Sequence, residues 1–190
     1  MKHKVHNKYD RILSVSSKLI SRKGYNGTSF QEIANKVGLG KSSLFHYVKN
    51  KEELLLRILE KNIDEVNINL RKIINNNRLE PEEKLKEAFD NHLALLIKYS
   101  DNVTIYLNEL GNLSKKNQLI YLNKRKKYGE EFQKIVVELK KKGYFEGLNE
   151  KIIVLGLLGM LNLVVKWYKK DGPLTINEIS NIFYRTIIEK

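Results

Sequence analysis

Residues 28–55 read TSFQEIANKVGLGKSSLFHYVKNKEELL, and the fold turns on the glycines near their middle. Thr28 with Gln31, or Ser29 with Glu32, has the spacing of a capping box, so a helix is expected to start here. Phe30, Ile33, Ala34 and Val37 follow at i, i+3, i+4 and i+7, one apolar face of a short helix. Gly38-Leu39-Gly40 interrupts that face. A second short helix then begins at Lys41 or Ser42, with Leu44 and Val48 turned inward and Lys41, Ser43, His46 and Tyr47 turned outward. Asn50 or Lys49 ends it, and Lys51-Glu52-Glu53-Leu54 opens a long helix running to about Asn75. Two short helices about a glycine turn are the sequence form of a helix-turn-helix, whose second helix is narrow enough to enter the major groove.

Upstream, Ile12, Val15, Leu19 and Ile20 keep helical spacing within Lys8 to Lys23, and Gly24 supplies a left-handed stop. Downstream, helices are expected near 81–100, 102–113, 116–142, 150–170 and 175–189. Pro81 suits a first turn, Asn75-Asn76-Asn77 a loose connection, Gly143 to Gly147 and Asp171-Gly172-Pro173 the breaks, and Thr175 with Glu178 a further capping box. The expectation is an all-α fold of about nine helices, with a helix-turn-helix domain at 1–51 and a larger helical domain at 52–190.

Composition agrees. Of 190 residues, 42% are hydrophobic and 30% charged, which excludes a disordered chain, and only two are proline, which favours long helices. The absence of cysteine removes disulfides, thiolate metal ligands and cysteine nucleophiles together. The histidines are His3, His6, His46 and His92; none sits in a His-Glu-x-x-His arrangement, and no phosphate-binding glycine loop or serine elbow accompanies them. Neither an enzyme, nor a metal site, nor a cofactor is expected. The apolar stretch Ile152 to Val165 contains Gly156, Gly159 and Asn162 and falls short of the roughly 20 residues that span a bilayer. It reads as a buried helix, with no membrane partner. Met1 to Asp10 lacks the apolar segment of an export signal, so a cytoplasmic address is expected. The net charge is +13, and from Met1 to Lys51 eleven Lys and Arg stand against Asp10 and Glu32. That quarter is the candidate nucleic-acid face.

The T-x-x-x-x-I-A opening, the V-G turn, the L-F-H-Y run and the K-x-K-E-E-L helix start resemble the DNA-binding region of the tetracycline-repressor family. The resemblance implies a homodimer on a palindromic double-stranded operator, released when a small molecule enters the C-terminal domain. It places Thr28, Gly40, Lys41, Ser42, Ser43, His46, Tyr47 and Lys51 against DNA, with Thr28 holding a phosphate at a helix start and Lys51 another. Where the family commonly has tyrosine this chain has Phe45, either a missing phosphate contact or a core residue.

Val154 to Ile179, VLGLLGMLNLVVKWYKKDGPLTINEI, resembles the last two helices of family members that control fatty-acid and sterol breakdown and respond to acyl-coenzyme A. Helix 150–170 is apolar nearly all round, and two such helices from each chain would form a four-helix bundle. Leu155, Gly156, Gly159, Leu163, Trp167, Ile179, Phe183 and Ile187 are the candidate dimer residues. By the family architecture an effector pocket would draw on Phe89, His92, Leu93, Leu96, Tyr99, Tyr106, Leu110 and Tyr121, apolar walls with polar tips. Lys124-Arg125-Lys126-Lys127 is a candidate for coenzyme A phosphates or a solvated face. A repressor of a drug-efflux pump and an effector-less DNA-binding protein are the alternatives.

Overall fold

In the computed structural model, residues 2–189 are described, with side chains from Lys8 onward; His3 and His6 lie outside the described side chains. The described residues form nine α-helices and no strand: α1 (Lys2–Lys23), α2 (Phe30–Val37), α3 (Lys41–Phe45), α4 (Lys51–Ile74), α5 (Pro81–Lys98), α6 (Ser100–Glu109), α7 (Lys115–Lys141), α8 (Glu150–Trp167) and α9 (Ile176–Ile188). A 3-10 turn, Leu110–Asn112, follows α6. No helix among the described residues is long and apolar enough to cross a membrane.

The helix ends are chemically specified. Of the two capping spacings at the start of α2, the one used is Ser29 with Glu32: the Glu32 amide donates to Ser29 Oγ at 3.0 Å. At its other end Gly38 takes φ +76°, and the Leu39 amide donates to Ala34 O (2.9 Å) and the Gly38 amide to Asn35 O (3.1 Å). That paired closure requires a left-handed residue, which glycine adopts at no steric cost. Asn50 caps α4 by accepting from the Glu53 amide at 2.8 Å. Thr175 and Glu178 form a reciprocal capping box on α9.

Packing divides the chain into two units. One runs to Asn62 and takes in Tyr99–Asn123; the other comprises Ile63–Lys98 and Lys124–Lys190. The division therefore falls inside α4 and inside α7. In the first unit, Ile12 and Ile20 of α1, Ile33, Ala34 and Val37 of α2, Leu44 and Val48 around α3, and Leu54, Leu55 and Ile58 of α4 are buried. Its helices are also joined by a polar clasp. Ser17 Oγ on α1 donates to Asn102 Oδ1 on α6 at 2.7 Å, and Asn102 Nδ2 donates to the Ile58 carbonyl of α4 at 2.6 Å. Lys61 pairs with Asp10 at 2.7 Å, tying α4 to α1 again.

In the second unit α5 packs against α8 and α9. Its buried centre holds Leu85, Phe89 and Leu93 of α5, Phe132, Ile135 and Val136 of α7, and Leu157, Leu161 and Val164 of α8. Phe89 and Phe132 stack with centroids 6.3 Å apart.

Candidate nucleic-acid interface and effector cavity

α3 is only five residues long and is held by its inward side: Leu44 is wholly buried and Val48 nearly so. This anchoring leaves Lys41, Ser42, Phe45 and His46 exposed, with Ser43 and Tyr47 half-buried beside them. Gly40 precedes the helix with φ −69° and ψ 151°, values open to any residue. A Cβ added there would make only ordinary contacts, with Ser42 and Ser43 hydroxyls at 3.8 and 3.9 Å. Nothing within the chain demands this glycine.

One expected contact, Thr28, is buried, and of the two readings of Phe45 the core one falls away. Thr28 is fully buried and its hydroxyl donates to the Gly24 carbonyl at 3.0 Å, so it closes the α1–α2 turn and cannot reach a phosphate. Its neighbour Ser29 is the exposed cap. Phe45 is not core: it is 46% exposed and packs against Phe30, ring centroids 4.9 Å apart. Lys51, at the start of α4, lies with Nζ 4.2 Å from the Tyr25 ring centroid, and partial burial there lowers its pKa from the usual lysine value.

The eight residues expected around the effector fall in both units. Phe89, His92, Leu93 and Leu96 are buried on α5, and Tyr99, Tyr106, Leu110 and Tyr121 belong to the unit that includes the helix-turn-helix. Tyr106 and Tyr121 pack together there at 5.5 Å. None of the eight lines the cavity of about 540 Å³ that opens between α7 and α8. Its α7 wall carries Arg125, Lys126, Glu130 and Gln133, and its α8 wall Lys151, Val154, Leu155, Leu158, Gly159 and Asn162. Cationic groups at the rim thus meet an apolar side. Sequence reasoning reaches the basic run, but of the α8 wall it singles out only Leu155 and Gly159, as dimer residues.

Behind that cavity lies a buried polar pair. His92 Nδ1 and the Tyr128 hydroxyl are 2.9 Å apart, and His92 Nε2 has no partner within hydrogen-bond geometry. Burial, reinforced by the Arg125 charge and partly offset by Asn162, pushes the His92 pKa down to about 4. Burial also raises the Tyr128 pKa. Arg125 and Asn162 line the cavity as well.

On α8, Ile152, Leu155, Leu163 and Trp167 are each about half exposed or more, and a Cβ on Gly156 or Gly159 would meet nothing within 4 Å. On α9, Phe183 and Ile187 are half-buried, whereas Ile179 is 3% exposed. Ile179 sits in the first turn of a helix packed on α5, so it belongs to the core of its own chain and not to an outer face.

Residues 12–58 match the family described as "Bacterial regulatory proteins, tetR family", and residues 78–190 match "Tetracyclin repressor-like, C-terminal domain". The chain belongs to the tetracycline-repressor family. It is therefore a helix-turn-helix DNA-binding transcriptional regulator, and its all-helical architecture is that of the family. The HTH-type transcriptional repressor KstR2 of Mycobacterium tuberculosis is 22% identical over 189 residues, 97% of this chain and 92% of that protein. Among solved structures, the family regulator PfmR from Thermus thermophilus superposes with a TM-score of 0.85 at 27% identity, covering 95% of this chain and all of that one. AibR, solved in complex with isovaleryl coenzyme A and operator DNA, has a TM-score of 0.83 at 27% identity, covering 95% and 97% of the two chains.

Proposed function

We propose that this regulator is a homodimeric repressor that binds a palindromic operator and leaves it when an acyl-coenzyme A thioester occupies the α7–α8 cavity. The observation that carries the DNA half is the anchoring of α3: Leu44 and Val48 fix it, and its opposite side offers Lys41, Ser42 and His46 to solvent in a basic segment. These side chains reach base edges or phosphates, Ser43 and Tyr47 flank them, and Lys51 fixes a phosphate from α4. Functionally the chain divides near Lys51: residues 1–51 meet DNA, and 52–190 hold the effector and the twin subunit.

The exposed apolar stripe of α8, with Phe183 and Ile187 of α9, supports pairing of two copies about a two-fold axis. Gly156 and Gly159, free of neighbours, allow close approach of a partner helix. Such a dimer presents two α3 helices to successive major grooves, about 34 Å apart.

The effector half rests on the cavity's chemistry. A thioester of coenzyme A is anionic at its phosphates and apolar along its acyl chain; Arg125, Lys126 and Lys151 answer the first and Val154, Leu155 and Leu158 the second. The isovaleryl coenzyme A complex of AibR supports this class of ligand. A cationic drug suits the same rim less well, because like charges repel. Binding acts as a population shift, favouring a spacing of the two α3 helices that misses successive grooves, and α4, one of two helices that contribute to both packing units, is the lever.

The experiment is footprinting on DNA beside the regulator's own gene, repeated with saturating acyl-coenzyme A of graded chain length. A protected palindrome that disappears with one range of chain lengths is the expected result. Protection unchanged by every thioester would overturn the effector reading, and no protected palindrome would overturn the operator reading.

A further inference from the structure

Phe45 is the residue of the α3 face that the phosphate and hydrogen-bond chemistry above does not use. It has no hydroxyl, so it donates nothing to a phosphate oxygen. It is not core either, being 46% exposed while Leu44 beside it is wholly buried. Lys41 and Ser42 lie four and three residues before it, spacings that put all three along one side of the short helix. Its ring is backed by Phe30, at the first position of α2, with centroids 4.9 Å apart and planes 35° from parallel. Contact with a second ring restricts Phe45, so little side-chain freedom remains to be given up on binding.

An exposed aromatic among lysine, serine and histidine is unfavourable in water and gains only where an apolar group covers it. The base edges of a B-form major groove present one such group, the C5 methyl of thymine. We propose that Phe45, held in place by Phe30, is a specificity residue that reads a thymine through its methyl group. The inference rests on the operator reading above. It makes the half-site contain a thymine at one defined step, read by an apolar contact that is indifferent to salt.

The test begins with duplexes selected from a random pool by the intact protein, after which each thymine of one half-site is replaced in turn by deoxyuridine, which removes only the methyl. One replacement should weaken binding about three- to fivefold, the worth of about one buried methyl-sized group, and the others should not. Phe45→Ala should bind the thymine duplex that much more weakly or worse, and should no longer distinguish thymine from deoxyuridine at that step. Its dependence on salt should equal that of the unaltered protein, because every phosphate interaction is kept. Phe30→Ala should blunt the methyl preference by freeing the ring. Should either variant fold poorly, the deoxyuridine series on the unaltered protein still decides. A selected operator indifferent to every methyl, or a Phe45→Ala protein that keeps the same preference, overturns this inference alone. Failure to select any sequence overturns the operator reading and this inference with it.

Discussion

The ammonium of Lys51 rests over the face of Tyr25, 4.2 Å from the ring centroid, so a cation that begins α4 is steadied by the turn following α1. Cation–π contacts of this kind position a charge without neutralising it. With Lys51 on a phosphate, Lys51→Gln weakens binding to all duplex sequences alike. The slope of log affinity against log salt should fall by about 0.9 for each phosphate interaction removed. Tyr25→Phe, which keeps the ring, should leave that slope unchanged, whereas Tyr25→Leu should weaken binding without altering it. Fluorescence anisotropy across a salt series reads all three.

The Ser17–Asn102–Ile58 clasp predicts a stability effect. Asn102→Leu leaves the buried Ser17 hydroxyl and the Ile58 carbonyl without their partner. The expected cost is about 1–3 kcal/mol. For a chain of this size that lowers the melting temperature by about 2–4 °C per kcal/mol. Ser17→Ala should cost less, because Asn102 keeps its bond to Ile58. Thermal unfolding of the two variants tests the order.

In the α7–α8 cavity, Arg125→Gln and Lys151→Gln each remove one charge from the rim. A charge-assisted hydrogen bond to a phosphate is worth about 1.5–3 kcal/mol, so each variant should bind isovaleryl coenzyme A at least about tenfold more weakly. Operator affinity without ligand should not change. Calorimetric titration of the ligand, paired with anisotropy on the operator, separates the two effects.

The buried His92 carries a pH signature. Its folded pKa, about 4, lies below the ordinary histidine value of 6.5, so the unfolded chain takes up a proton in that window while the folded chain does not. Stability is complete above about pH 6.5 and declines as the pH falls toward 4, by up to about 3 kcal/mol. His92→Gln, which does not titrate, should show a flatter profile across the same window. Denaturant titrations of both proteins between pH 4 and 7 measure the difference.

The helices are legible in the sequence because their ends obey local chemistry: Gly38 closes α2, Asn50 opens α4 and Thr175 boxes with Glu178, all within a few residues of the groups they satisfy. Misplacements arise where local spacing is ambiguous or where distant partners decide. Thr28 and Ser29 both meet the capping spacing, and only the turn carbonyl of Gly24 settles which one is buried. Ile179 shares its helical stripe with Phe183 but is buried, on a helix that packs on α5. Asn102 meets Ser17 and Ile58 across 85 and 44 residues, which no helical period encodes. The cavity escapes a sequence reading because its walls come from a charged run on α7 and an apolar run on α8, each with a simpler meaning when taken alone.

Sequence readout by the exposed side of α3 has its plainest signature in a ratio of two affinities, one for a selected operator and one for a scrambled duplex of equal length and composition, at a single salt concentration. For the unaltered protein the ratio should reach about 10³ or more. Replacing Lys41 with Gln and His46 with Ala together should lower it at least about tenfold, while the scrambled-duplex affinity changes little beyond the effect of one charge removed. A double variant that keeps the full ratio would show that base readout lies elsewhere on the protein.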